Sequence, residues 1–121
     1  DGRYRDVALH ARSEVLLAAG AAGRSAIDTV HLDIADLAGL AREAEDAVAV
    51  GFAATACIHP SQVETVRRAY LPSDEQVQEA VELLAAADAA GTGVFRHRGR
   101  MVDGPVVAHA RAVLRRASPT L

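Results

Sequence analysis

The sequence predicts an α/β fold that opens with parallel βαβ units and closes with a helix–hairpin–helix tail. Two short apolar, β-branched runs, residues 26–32 and 54–58, alternate with stretches of helical periodicity. Two helix-start signatures, Ser61-Gln62-Val63-Glu64 and Ser73-Asp74-Glu75-Gln76, follow the second run. Arg96, Arg98 and Arg100 then recur at period two around Gly99, as a short hairpin requires.

Each element can be justified in order. From about Tyr4 to Ala19 a helix is expected, with Val7, Ala11, Val15 and Ala18 on one face and Gly20 and Gly23 supplying a stop. Ala26 to Leu32 reads as a buried strand. Asp36 is suited to cap a second helix that runs through Leu40, Ala44 and Val48 to Gly51. Ala54 to Ile58 forms the second strand, ended at His59-Pro60 because proline breaks a ladder and disfavours a helical residue before it. A capping box at Ser61 and Glu64 starts a helix to about Tyr70, which Pro72 closes. Ser73 opens the next helix, with Val77, Ala80, Val81 and Leu84 inward and Gly91 and Gly93 at its end. Val94 to Val102 forms the hairpin, and Pro105 fits the first turn of a last helix with Val107, Ala110 and Leu114 inward.

Single buried strands alternating with helices imply parallel pairing with crossover helices. Two such strands do not make a self-sufficient sheet, and a closed (β/α)8 barrel takes roughly 250 residues, against 121 here. The pattern changes near Pro72-Ser73, which divides the chain into residues 1–72 and 73–121.

Composition narrows the function classes. Half of the residues are apolar and the formal charge is −3, so no basic field points to nucleic acid or to an anionic membrane. The single Cys57 excludes an internal disulfide framework and suits a reducing, cytoplasmic setting. No apolar run approaches a membrane span and no signal-peptide pattern is present. The opening Asp1-Gly2-Arg3, in place of Met, reads as an internal start on the run-up to a helix.

Five groups carry candidate chemistry. Cys57 and His59 stand two apart, as a nucleophile and its base would on one strand face. The plainer alternative is a buried structural thiol and a strand-end imidazole. His59-Pro60 also lies where a strand hands over to a helix, the face on which β/α barrels build their sites, and a neutral imidazole there donates to a ligand oxygen or fixes the turn. His31, Asp33 and Asp36 have the donor types for a divalent cation, but short acids at such a junction are more simply helix caps. Arg96, Arg98 and Arg100, with His97, are suited either to gripping phosphate oxygens from one strand face or to guarding a solvated edge. Asp103 precedes the last helix, where the helix dipole favours a carboxylate, and is either a functional acid or a turn residue.

Ala11-Arg12-Ser13, Ala26-Ile27-Asp28-Thr29-Val30, Gly51-Phe52, Cys57-Ile58-His59-Pro60-Ser61-Gln62-Val63, Ala69-Tyr70-Leu71-Pro72-Ser73 and Gly99-Arg100-Met101-Val102-Asp103-Gly104-Pro105-Val106 occur in an order that resembles the C-terminal part of the citrate lyase β-subunit-like CoA-ester lyases, in the aldolase and citrate lyase superfamily. The resemblance covers essentially the whole chain. Ala53-Ala54-Thr55 departs from it, since many relatives carry Asp-Gly-Lys there. The resemblance implies the last βα units of a (β/α)8 barrel in residues 1–72 and a lid or oligomerisation tail in 73–121. It implies a homo-oligomer, trimer or hexamer, and Mg²⁺-dependent cleavage of a β-hydroxyacyl-CoA of malyl, citramalyl or citryl type into acetyl-CoA and an oxoacid or carboxylic acid. The Mg²⁺ ligands of relatives lie on earlier strands, so the resemblance implies no metal ligand in this chain and little activity by the chain alone. It further implies that Asp103 acts in a neighbouring subunit's site and that one or more of Arg96, Arg98 and Arg100 sits near the CoA phosphates, while position alone makes His59 a candidate substrate or CoA contact. The reading that competes with it is a short non-catalytic α/β module that pairs with another chain.

Overall fold

The computed structural model describes residues 5–91 and 93–118. Tyr4, the expected start of the first helix, and Asp1-Gly2-Arg3 lie outside them. The chain divides into two compact units, one up to Tyr70 and one from Leu71 onward.

The first unit holds α1 (Asp6–Ala21), β1 (Ile27–Asp28), α2 (Leu37–Val50), β2 (Ala54–Thr55) and α3 (Pro60–Tyr70). β1 and β2 pair in parallel, Ile27 with Ala54 and Asp28 with Thr55, so the βαβ reading holds. Both strands are much shorter than the apolar runs that contain them. The carbonyl of Asp28 still accepts from Ala56 N–H at 3.1 Å, and beyond that bond the pairing ends; on the other edge of β1, Thr29 N–H donates to the Asp28 carboxylate at 3.0 Å. Burial in β1 is also the reverse of an apolar strand: Asp28 is buried and Ile27 is 66% exposed.

Two apolar clusters hold this unit. Ala26, Ala47 and Phe52 pack with Leu16, Ala19 and Tyr70, and Leu40, Ala44 and Val66 pack with Ala69 and Tyr70. The inward face of α1 is therefore Arg12, Leu16 and Ala19. The expected face fails: Val7 and Val15 are 77% and 58% exposed, and Ala11 and Ala18 are exposed with them. A charged residue occupies the inward stripe of this helix, so apolar periodicity selected the wrong side. α2 follows its forecast. Asp36 caps it by accepting from Gly39 N–H at 2.8 Å, and Gly51 ends it in the left-handed region with φ 112°.

The second unit holds α4 (Asp74–Ala90), β3 (Phe95–His97), β4 (Arg100–Val102) and α5 (Gly104–Ala117). Ser73 and Gln76 form a reciprocal capping box on α4, as the sequence predicts. Ala80 on α4 packs against Ala110 and Val113 on α5, with Leu83, Leu84 and Leu114 around them. Val81, expected inward, is exposed. β3 and β4 pair antiparallel across Arg98 and Gly99, whose φ values of 47° and 80° mark a two-residue hairpin turn of the type that needs positive φ twice.

Candidate functional site

The first unit gathers its polar chemistry where β1 and β2 end. Asp28, on β1, is buried and accepts a fork from Arg12: Nε at 2.9 Å and Nη2 at 2.7 Å. Arg12 Nη1 donates to Asp46 on α2 at 2.7 Å, and the guanidinium lies 4.9 Å from the Phe52 ring centroid. The hydrogen bonds it donates to Asp28 hold the Arg12 guanidinium above its ordinary pKa, with Asp46 adding to them against the cost of burial. This cluster ties α1, β1 and α2 together on the helix side of the strand.

Beyond β1, His31 is buried. Its Nδ1 bonds Glu43 at 2.9 Å, and its Nε2 lies 3.7 Å from an Asp36 oxygen without a hydrogen bond. Asp33 accepts from Ala35 N–H at 3.0 Å while Asp36 caps α2. His31, Asp33 and Asp36 thus act as a buried ring, a turn former and a cap. Among the described residues no group of three His, Cys, Asp or Glu side chains is placed to hold a metal ion.

After β2, Cys57 is exposed rather than buried, its sulfur 4.0 Å from the Thr55 carbonyl. The strand stops at Thr55, so strand alternation no longer relates Cys57 to His59. His59 instead turns Nδ1 toward Ser61, accepting from its backbone N–H at 3.2 Å and bonding its hydroxyl at 2.8 Å. A ring nitrogen that accepts a backbone N–H carries no hydrogen, so Nε2 of His59 is the donor and Ser61 O–H also donates to Nδ1. The expected Ser61–Glu64 box, which would start the helix at Gln62, is absent for this reason: α3 begins two residues earlier, at Pro60, and Glu64 pairs with Arg68 at 2.9 Å. The loop after β2 is held by Gln62, which is wholly buried; it stands within the Cys57–Val63 stretch that carries the resemblance, but no sequence signal marks its backbone partners.

In the second unit the arginines do not share one strand face. Arg96 pairs opposite Met101 and Arg100 opposite His97, so the turn sends them to opposite faces of the hairpin, and Arg98 sits in the turn itself. Arg98 pairs with Glu82 and lies 3.9 Å from Glu79, both on α4. Asp103 is half-buried and is the N-cap of α5, accepting from Val106 N–H at 3.3 Å through one carboxylate oxygen.

Comparison with known proteins decides the family. The model of the C–C bond lyase family, of the TIM-barrel fold, matches residues 9–119. The chain belongs to this family. A citrate lyase subunit beta-like protein of Mycobacterium tuberculosis is 57% identical over 97% of the chain and 42% of its own length. Human mitochondrial citramalyl-CoA lyase is 38% identical over 85% of the chain and 31% of its own length. The crystal structure of protein CitE from M. tuberculosis in complex with magnesium, acetoacetate and coenzyme A superposes with a TM-score of 0.85 and 57% identity, over 97% of the chain and 43% of that structure. The chain therefore spans less than half the length of these C–C bond lyase relatives. Mixed α/β topology with terminal helices is consistent with membership. Among the described residues no helix is long and apolar enough to cross a membrane.

Proposed function

We propose that this chain is the C-terminal portion of a Mg²⁺-dependent, cytoplasmic lyase that cleaves a β-hydroxyacyl-CoA of malyl, citramalyl or citryl type. The observation that carries the reading is the likeness to a structure bound to magnesium, acetoacetate and coenzyme A. In such a cleavage the hydroxyl proton leaves to a base and the adjacent carbon–carbon bond breaks. Its electron pair becomes a thioester enolate, which takes a proton to give acetyl-CoA.

Among the described residues no three-ligand grouping of His, Cys, Asp or Glu offers a Mg²⁺ site. The metal is assigned to carboxylates outside this sequence. Residues 1–72 act as the last βα units of the barrel. His59 lies just past β2, on the strand-end side where barrel sites form, and its Nε2–H is available to donate to a substrate oxygen. Residues 73–121 act as a lid and oligomer segment in a trimer or hexamer. Asp103 serves as acid or base in a neighbouring subunit, supported by the one carboxylate oxygen left over from its capping bond. Arg96 and Arg100, both exposed, are placed in the CoA phosphate region with Arg98 as a less available third, since Glu82 engages it.

The test offers malyl-, citramalyl- and citryl-CoA to the full-length protein that contains this chain, and follows acetyl-CoA. Release from at least one thioester, abolished by EDTA and restored by Mg²⁺, is expected, whereas the 121-residue chain alone should release none. No release from any thioester by the full-length protein contradicts the proposal and leaves the non-catalytic module.

A further inference from the structure

We propose that Gln62 is a positioning residue that locks together the two loops following β1 and β2, and so sets where His59 is held. The inference deepens the lyase reading and rests on it for its kinetic readout only. Gln62 lies on α3 with no exposed surface, and among the described residues it is with Leu40 one of the two largest fully buried side chains. Its Oε1 accepts from Ile58 N–H at 3.0 Å and its Nε2 donates to the His31 carbonyl at 2.9 Å. The last backbone bond between the two strands runs from Ala56 N–H to Asp28 O. Where that ladder ends, the primary amide continues it with one acceptor and one donor, spanning two loops 27 positions apart in register.

Both ends of the bracket are themselves fixed. His31 is buried and bonded to Glu43 on α2, while Ile58 immediately precedes His59, whose Nδ1 is set by Ser61. Only a group with one donor and one acceptor in that orientation satisfies both backbone partners. Leucine has neither. An ionised carboxylate turns a second acceptor toward the His31 carbonyl, and that repulsion drives the side chain out of the bracket, so the Ile58 bond is lost with the His31 one. A protonated carboxyl restores both bonds, and burial favours that protonated form above the ordinary carboxylate pKa. The variant Gln62→Glu is thus silenced at high pH and rescued at low pH, while Gln62→Leu has no rescue. The ionisable groups nearby are His31, Asp36 at the cap of α2, Glu43 on α2 and His59 just before α3, so each variant is compared with wild type at the same pH.

The experiment prepares both variants in the full-length protein and works at a temperature where each is fully folded by circular dichroism. Hydrogen exchange of the Ile58 amide and kcat/KM are read at pH 8 and pH 6. At pH 8 both variants should exchange Ile58 faster than wild type and lose about 10- to 100-fold in kcat/KM, the scale of an ångström-sized misplacement. At pH 6, relative to wild type, Gln62→Glu should recover most of both losses and Gln62→Leu neither. Wild-type kcat/KM in both folded variants overturns the proposal, as does a Gln62→Glu loss equal at the two pH values. If wild type itself shows no lyase activity, the lyase reading fails and exchange alone decides: unchanged Ile58 exchange in both variants refutes the bracket, and accelerated, acid-rescued exchange supports it.

Discussion

Arg12 shows how one side chain redirects a helix. Its guanidinium forks onto buried Asp28, reaches Asp46 and covers Phe52, so α1 turns this stripe inward and leaves Val7 and Val15 to solvent. Removing one partner of a buried pair strands the other, which costs about 3–5 kcal/mol; Arg12→Ala should destabilise the protein at the lower end of that range in urea denaturation, because Arg12 is 12% exposed. The pH dependence has a definite sign. The folded-state pKa of Arg12 is raised above the ordinary arginine value, first by the Asp28 bond. Its contribution is then fully present below the unfolded value and lost only as pH climbs through the folded one. The stability gap between wild type and Arg12→Ala should stay constant from pH 6 to pH 9, and a gap that narrows within that window would contradict the pairing. Neither residue announced this role in the sequence. Arg12 and Asp28 are separated by a helix end and a loop, and a charged pair 16 positions apart leaves no periodic trace. Gln62 was equally hidden, because its partners are backbone groups on two different loops.

At the scale of elements, local signals were read well and long-range ones less so. Helix order, the parallel pair, the Ser73 box, the Asp36 cap and the hairpin at Gly99 follow from caps, glycines and periodicity, which act within a few residues. Strand lengths, the inward face of α1 and the facing of Arg96 and Arg100 depend on which groups meet across space, and those were misjudged. The two serine signatures make the contrast testable. Ser73 accepts from Gln76 N–H at 3.2 Å and Gln76 answers at 2.9 Å, so Ser73→Ala should cost about 1 kcal/mol. Ser61 instead serves His59, since Pro60 has already begun α3. Ser61→Ala should therefore stay within about 0.5 kcal/mol of wild type, as an exposed substitution away from a cap does. Thermal melts of the two variants check this, and equal losses would mean that both serines cap their helices.

For the whole molecule, the match to the C–C bond lyase family runs through both units. The proposed division assigns barrel strand ends and His59 to the first unit, Asp103 to the second, and the metal to residues outside this sequence. Asp103 is the point at which that division can be broken. As an N-cap alone, Asp103→Asn would hardly matter, because asparagine caps about as well as aspartate. As an acid or base in a neighbouring site, the same change should lower kcat by about 10² to 10⁴ and leave acyl-CoA binding intact. The most direct measurement mixes two inactive forms of the full-length protein, one carrying Asp103→Asn and one lacking a metal-binding carboxylate, and assays acetyl-CoA release after subunit exchange. The mixture should regain activity, since some sites then pair an intact metal centre with an intact Asp103 from the neighbour. Exchange verified by mass spectrometry with no recovered activity would contradict it.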